Sequence, residues 1–317
     1  MTTAITLWLL GGGGLALYAG WAAIAMAGGA SPWRYLAGLP LLYVATLCAI
    51  TLVWFALAWN FRAVRPADKR IAVAATIRLF LDELRAIGRS GPRMALYRYL
   101  MPDPAPAPAG APVLLLHGVL CNAGAMAGLR DDLVARNLGP VYALSYGPPL
   151  ASIDEFADQV AAKIDAILEA TGAARVAIVG HSMGGLVART YLRRHGAQKV
   201  SLVMTLGAPH HGSVHACLFP GLSLAQLRPG NAWLADLNRA EGAPAGVRLV
   251  SLWSWHDSMV APQTSSRLTG AENIELSGIG HNALLGDRRV FALVAEELTR
   301  VAAQYAAARD GHSRRDG

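Results

Sequence analysis

The chain has 317 residues, of which 54% are hydrophobic and 15% are charged, and this balance excludes an intrinsically disordered protein. The net charge is +7, but residues 1–110 hold ten basic and four acidic side chains, whereas residues 111–317 are almost neutral. A nucleic-acid-binding domain carries its basic surface on the folded domain. We therefore expect no nucleic-acid partner, and no feature of the sequence indicates a protein partner.

Two long uncharged runs open the chain. The first covers residues 1–33 and the second residues 35–61, with Arg34 between them. A helix needs about 20 apolar residues to cross the hydrocarbon core, so both runs are long enough. A cleaved signal peptide is the alternative, but the first run lacks a basic start and a second run follows at once. We predict that residues 1–66 form a membrane anchor, a hairpin of two transmembrane helices.

The basic residues beside these runs predict the orientation of the anchor. Arg34 lies between the runs, whereas four basic residues follow the second one: Arg62, Arg65, Lys69 and Arg70. The positive-inside rule places the more basic segment in the cytoplasm. We expect an integral protein of a bacterial inner membrane with its C-terminal domain in the cytoplasm. If only the second run spans the bilayer, that domain faces the periplasm instead.

Residues 67–110 are predicted to hold an amphipathic helix and a linker. Apolar residues recur at helical spacing over residues 67–88, with charged residues mostly on the opposite face. Such a helix packs either on a globular domain or on the membrane surface, and the sequence leaves both possibilities open. The Pro/Ala-rich residues 102–112 indicate a stiff linker and a domain boundary.

Beyond the linker, apolar runs typical of buried strands alternate with helical patterns. The predicted strands are 113–118, 141–146, 175–180, 201–207, 247–253 and 273–278, and the predicted helices are 124–137, 153–170, 183–195 and 288–308. This alternation indicates an α/β fold with a mostly parallel sheet covered by helices on both faces. We assign residues 111–309 to this domain. Residues 208–243 interrupt the alternation and are a candidate lid, and residues 310–317 are predicted to be a disordered tail.

One short segment carries the pattern of a catalytic serine. Gly180-His181-Ser182-Met183-Gly184 fits G-x-S-x-G and stands between a predicted strand and a predicted helix. A sharp turn at that place lifts a serine hydroxyl above the strand ends, and the two glycines let the turn close. Ser182 is therefore the candidate nucleophile, and the alternative is a tight turn with an inert serine.

A serine nucleophile needs a base, and the base needs an orienting acid. In this fold class the acid and then the histidine come after the serine in the chain. His281 follows the last predicted strand, and Asp257 follows the strand before it. Asp236 lies in the predicted lid, and Asp287 is too close to His281 in sequence to approach it from another strand. We predict Asp257 as the acid and His281 as the base.

Acyl transfer also needs two donors for the oxyanion. The backbone N–H of Met183, directly after the nucleophile, is the first candidate. The second is expected in the loop after the first strand, where Gly118 permits a sharp turn and Val119 supplies the N–H. We expect His117 to support this loop rather than to act as a base.

The segments LLLHGV, VGHSMGG, TLGAPHHGS and WHDSMVAP with GIGHN together resemble the α/β-hydrolase superfamily and, within it, the bacterial triacylglycerol lipase and esterase branch. The resemblance covers about residues 111–305 and implies an α/β-hydrolase fold. It also implies that Ser182, Asp257 and His281 form the triad. The membrane anchor is not part of the family's common pattern. Secreted calcium-dependent members carry an aspartate soon after the catalytic histidine, but Asn282 and Ala283 stand here, so no calcium site is carried over.

We expect neither a metal nor a cofactor. The histidines His210, His211 and His215 stand close in sequence, but no carboxylate completes a ligand set. Cys121 and Cys217 are the plausible disulfide pair, and the sequence does not decide whether they join.

The predicted function is a membrane-anchored serine ester hydrolase that acts on lipid or acyl esters. An acyltransferase or thioesterase using the same triad is the first alternative. A non-catalytic membrane-anchored binding protein is the second.

Overall fold

The computed structural model describes residues 3–105, 111–239 and 244–313. The strands are β1 (Val113–Leu116), β2 (Val141–Leu144), β3 (Val176–His181), β4 (Val200–Leu206), β5 (Arg248–Ser254) and β6 (Glu272–Leu276). The helices are α1 (Thr3–Ala27), α2 (Pro32–Asn60), α3 (Val73–Ala95), α4 (Tyr97–Leu100), α5 (Ala127–Ala135), α6 (Ile153–Thr171), α7 (Met183–His195), α8 (Leu222–Gln226), α9 (Ala232–Arg239) and α10 (Arg288–Ser313). All predicted strands are found, displaced by a few residues at their ends.

The described strands form one sheet in the order β2-β1-β3-β4-β5-β6, and every neighbouring pair is parallel. This confirms the predicted α/β fold. The strand order changes direction between β1 and β3. In open parallel sheets, ligands bind at such a point, in the crevice outside the carboxyl ends of the strands.

Helices cover both faces of the sheet. Successive side chains of a strand point to opposite faces. Leu114 and Leu116 of β1 accordingly pack in a cluster with α6 and α7, whereas Val113 and Leu115 pack in a second cluster with α5 and α10. Because both faces are buried, the strands are continuously apolar.

Helix α3 differs from the amphipathic helix predicted over residues 67–88. Residues 67–69 form a 3-10 turn, and α3 begins only at Val73 and continues to Ala95. Its last turn packs on the sheet domain: Asn122 Nδ2 donates to the Met94 carbonyl (2.9 Å), and a Cβ placed on Gly124 would lie 2.2 Å from a backbone oxygen of α3. This packing offsets the glycines that weaken the helix near its end. The end of α3 thus packs on the globular domain, whereas the apolar side chains of Val73, Ile77 and Leu81 nearer its start are exposed.

Parts of four predicted segments lie outside the described residues. They are residues 1–2 of the membrane anchor, 106–110 of the linker, 240–243 of the lid and 314–317 of the tail. Helix α10 runs to Ser313, through the first residues assigned to a disordered tail. The described part of the lid holds a 3-10 turn, α8 and α9.

Helices α1 and α2 contact each other beside a short turn. The Tyr18 hydroxyl donates to the Tyr35 carbonyl (2.8 Å), and the rings of Trp21 and Tyr35 lie 5.0 Å apart. Among the described residues, α2 is the one helix long and apolar enough to cross a membrane, and only 11% of its apolar window is buried. A signal sequence has the same length and composition, so the two-helix membrane anchor stays a prediction.

Candidate active site

Ser182 occupies the turn between β3 and α7 with φ 56° and ψ −125°. A non-glycine residue rarely adopts a positive φ, and such strain is held only where the surroundings enforce it. The Ser182 N–H donates to the Leu206 carbonyl (2.9 Å), and the Ser182 carbonyl accepts from the Gly185 N–H (3.0 Å). The turn is therefore locked from both sides, with the serine at the carboxyl edge of the sheet.

Three glycines let this turn close. A Cβ on Gly180 would lie 2.5 Å from the Gly184 carbonyl carbon, and a Cβ on Gly184 would lie 2.4 Å from the Leu116 oxygen. A Cβ on Gly118 would lie 3.1 Å from the Ser182 Cβ and 3.5 Å from its Oγ. The loop after β1 therefore passes directly beside the serine hydroxyl.

Asp257 and His281 form a buried pair. Asp257 Oδ2 lies 2.9 Å from His281 Nδ1, and Asp257 Oδ1 accepts the backbone N–H groups of Met259 (2.8 Å) and Val260 (2.7 Å). The two side chains are 1% and 4% exposed, respectively. These contacts hold the imidazole with its other nitrogen, Nε2, available to a substrate-side partner.

The contact between Asp257 and His281 lowers the pKa of the acid and raises the pKa of the histidine, the directions expected for a base and its orienting acid. Burial raises the pKa of Asp257, but the His281 ring and the backbone N–H groups of Val260 and Met259 outweigh it, so the pKa is lowered. Burial lowers the pKa of His281, but the Asp257 and Glu83 carboxylates outweigh it, so the pKa is raised. Asp257 is thus held as an anion beside His281, an arrangement that favours the protonated imidazole.

The triad candidates meet around the serine turn. The ring centroids of His281 and His181, the residue before Ser182, lie 4.7 Å apart, and the His281 carbonyl lies 3.1 Å from His181 Nε2. A Cβ on Gly207, after β4, would lie 3.1 Å from Asp257 Oδ2. The loops after β1, β3, β4, β5 and β6 thus converge at one edge of the sheet.

The predicted oxyanion donors lie on the two loops that flank Ser182. Met183 is the first residue of α7, and the first N–H groups of a helix have no partner within the helix. Val119 lies in the turn after β1, just before Leu120, which has a φ of 55°. Both residues come from the elements that border the serine hydroxyl.

His117 stands directly before this loop and contacts it. Its Nδ1 lies 2.8 Å from the Gly118 carbonyl, its ring stacks on that of Tyr146 at 4.0 Å, and its own carbonyl accepts the Tyr146 hydroxyl. Burial lowers the pKa of His117 to about 4, so the ring is neutral at physiological pH. These contacts fit the supporting role expected for it.

The two acids rejected in favour of Asp257 form ion pairs with arginines. Asp236 on α9 pairs with Arg193 and Arg239 at the surface, and Asp287 pairs with Arg289 (2.8 Å). In the described part of the chain, no three His, Cys, Asp or Glu side chains are grouped as metal ligands. Cys121 and Cys217 are not joined by a disulfide.

Sequence reasoning missed Glu83 on α3. Its carboxylate is 1% exposed, and Oε1 accepts the Ser258 hydroxyl (2.6 Å) together with the backbone and side-chain N–H groups of Asn282 (3.0 and 2.9 Å). Oε2 accepts the Ala283 N–H (2.9 Å), and the Ser258 hydroxyl in turn accepts the His281 N–H (3.3 Å). Glu83 therefore ties the loops of the acid and of the base to one helix.

We expect Glu83→Gln to lower kcat/KM by about 10- to 100-fold, because the loop that carries His281 loses its anchor. The charged and titratable groups that face His281 are Asp257, Glu83, His181 and His215. Removing the Glu83 charge lowers the pKa of His281, which must be neutral to accept a proton. The acid limb of the pH–rate profile should therefore move to lower pH.

The matched control is Asp82→Asn, which removes a neighbouring surface carboxylate paired with Arg85 (2.8 Å). It should leave the rate and the profile unchanged, and Glu83→Asp should restore part of the activity. If Glu83→Gln loses stability but keeps the parental pH profile, the residue is only structural.

A family model described as the alpha/beta hydrolase fold matches residues 72–248. The chain belongs to the α/β-hydrolase fold family. The matched range begins at the start of α3 and contains Val119 and Ser182, but it ends before Asp257 and His281, whose assignment rests on their position and contacts.

Curated relatives and solved structures of this hydrolase family are similar to parts of the chain. Triacylglycerol lipases of Pseudarthrobacter phenanthrenivorans and Burkholderia plantarii are 44% identical over 59 residues, which are 19% of this chain and 18% and 16% of theirs. The matched segment thus spans less than a fifth of those relatives.

Two solved structures share the fold. Bacillus licheniformis lipase BlEst2 in its mature form has a TM-score of 0.54 at 20% identity, over 63% of this chain and 96% of that one. Aspergillus fumigatus lipase B has a TM-score of 0.56 at 22% identity, over 65% of this chain and 57% of that one.

Proposed function

We propose that the protein is a membrane-anchored serine ester hydrolase that acts on lipid or acyl esters. The observation that carries this proposal is the buried 2.9 Å contact between Asp257 and His281 beside a serine with a positive φ. An inert turn would need neither the strain nor a buried ion pair. The names of its relatives, lipases and triacylglycerol lipases, support the same substrate class.

In the proposed reaction, the Ser182 hydroxyl attacks the ester carbonyl while His281 accepts its proton. The backbone N–H groups of Met183 and Val119 stabilise the oxyanion of the tetrahedral intermediate. His281 then protonates the departing alcohol, which leaves an acyl group on Ser182. Water, deprotonated by His281, then attacks this acyl-enzyme. The acid leaves as His281 returns the proton to Ser182 Oγ, while Asp257 holds the imidazole throughout.

Contacts between the lid and α2 favour a lipid substrate. His215 Nε2 lies 3.2 Å from the Trp54 carbonyl of α2, and the ring centroids of Trp54 and Phe219 lie 6.0 Å apart. Exposed apolar side chains of the lid and of the loop after β1 continue this surface: Leu120, Leu218, Phe219 and Leu222. If α2 spans the bilayer, it holds the mouth of the site next to membrane lipids.

Profiling the purified full chain against esters of graded acyl length tests the proposed activity. We expect hydrolysis of acyl esters and covalent labelling of Ser182 by a serine-directed phosphonate. An acyltransferase would show a product shift when an alcohol acceptor is added, and a thioesterase would prefer acyl thioesters. A chain that neither hydrolyses esters nor takes the label would instead be a binding protein.

The proposed anchor predicts that the full chain stays in the membrane pellet after a carbonate wash, because a spanning helix is not released by high pH.

Reporter fusions at the C-terminus test the orientation. We expect a cytoplasmic reporter to be active, because four basic residues follow the second uncharged run. An active periplasmic-only reporter would place the hydrolase domain on the other side of the membrane.

A further inference from the structure

A cleft lies beside the loop that carries Asp257. It is bordered by the end of α2, the chain that follows α2 and the start of α3. It has a volume of about 680 Å³, within the range of small-molecule sites. Its lining includes Asp257 and His256 but not Ser182. This cleft is therefore distinct from the side of the triad on which the nucleophile lies.

Three arginines line the cleft: Arg62, Arg65 and Arg70. Asp68, the acidic residue nearest to them in sequence, pairs with Lys69 instead (3.2 Å). None of the three arginines has a carboxylate partner among the described residues. Burial and then the charge of Arg62 lower the pKa of Arg65, and the two guanidinium groups, which lie 4.0 and 5.7 Å from the centroid of the Trp59 ring, repel each other. An anion bound between them would remove that repulsion.

Two of these side chains are held in place. The Arg62 guanidinium lies 4.0 Å from the centroid of the Trp59 ring and donates to the Trp59 carbonyl (2.6 Å). Arg65 Nε donates to the Trp255 carbonyl (2.8 Å), which leaves its terminal nitrogens for another acceptor. Preorganised arginines of this kind are suited to phosphate and carboxylate groups.

His256 lines the cleft and has a buried ring nitrogen without a hydrogen-bond partner among the described residues. It is 3% exposed, and its Nδ1 accepts the Gly278 N–H (3.1 Å), so the proton of the neutral ring is on Nε2. Burial and then the Arg65 charge lower the pKa of His256 to about 4, which keeps the ring neutral. Its Nε2 has no hydrogen-bond partner among the described residues, and a buried unpaired donor is costly.

Apolar side chains also line the cleft, among them Phe55, Ala58, Ile71 and Leu79, together with the polar Asn60 and Thr76. The Asp257 carboxylate also lines the cleft, but its oxygens are bonded to His281 and to backbone N–H groups, and the three arginines outweigh its single negative charge. We propose that this cleft binds a phosphate group, with the apolar wall contacting the chains of a phospholipid that carries it. Free phosphate is the other source of the same chemistry.

The test is calorimetric titration of the full chain in an uncharged detergent, with Ser182→Ala as background so that no ester is cleaved. The probes are dihexanoyl phosphatidylglycerol, dihexanoyl phosphatidylcholine and inorganic phosphate. We expect saturable binding of phosphatidylglycerol, weakened about tenfold or more by the double variant Arg62→Gln/Arg70→Gln. Phosphatidylcholine, whose headgroup has no net charge, should bind more weakly.

The matched control is Arg78→Gln, which removes an exposed arginine of α3 that does not line the cleft. It should bind phosphatidylglycerol like the parent. Inorganic phosphate binding as tightly as the lipid would assign the site to the free ion. The proposal is overturned if neither phosphatidylglycerol nor inorganic phosphate binds saturably. It is also overturned if Arg78→Gln weakens binding as much as the double variant. None of these outcomes depends on esterase activity, so the site and the proposed function can fail separately.

Discussion

Ser182→Ala is expected to abolish ester hydrolysis while leaving the fold intact, with a loss on the order of 10⁶ in turnover. Without the hydroxyl no acyl-enzyme forms, and only binding and oxyanion stabilisation remain. The side chain is small and lies at the edge of the sheet, and the contacts that lock the turn are made by its backbone. Ester assays, phosphonate labelling and thermal unfolding of parent and variant measure both parts of this expectation.

The matched control for this variant is Ser201→Ala. Ser201 lies at the start of β4, at the opposite end of the sheet from Ser182, where its hydroxyl donates to the Val176 carbonyl (3.3 Å). Its loss should leave activity and labelling unchanged. A Ser182→Ala protein that keeps more than a few per cent of the activity would show that another group is the nucleophile.

The parallel sheet and the neighbourhood of Ser182 were predictable because their signals are local. Buried strands such as Ile178 to Gly180 are continuously apolar, and the chain reverses at a glycine-rich turn directly after them. The prediction of Asp257 and His281 rested on the chain order of this fold class, in which the acid and then the histidine come after the serine, here each directly after a predicted strand.

Glu83 was not predictable because no local pattern separates it from the exposed Asp82 beside it. Its partners, Ser258, Asn282 and Ala283, are 175 to 200 positions away in sequence. The bounds of α3 were missed for a related reason, since the residues that extend the helix, near Asn122, lie beyond the linker. Only the packed structure brings these groups together.

The arginines after α2 show how one pattern can serve two physical roles. In the sequence they indicate only the side of the membrane on which the chain continues. In the structure, Arg62, Arg65 and Arg70 also line a cleft that reaches His256. A count of basic residues predicts orientation, but it does not predict that their side chains surround a common space.

Asp257→Asn should lower turnover by a factor of up to about 10⁴, because an amide favours the wrong tautomer of the imidazole. The carboxylate now accepts from His281 Nδ1 at 2.9 Å and stabilises the imidazolium that forms in the reaction. Its removal also lowers the pKa of His281, so the acid limb of the remaining activity should move to lower pH. Asp236→Asn is the matched control, since Asp236 pairs with Arg193 and Arg239 on the surface, and it should be nearly silent. Steady-state kinetics of both variants across pH test the assignment, and the reverse result would make Asp236 the acid and move it out of the lid.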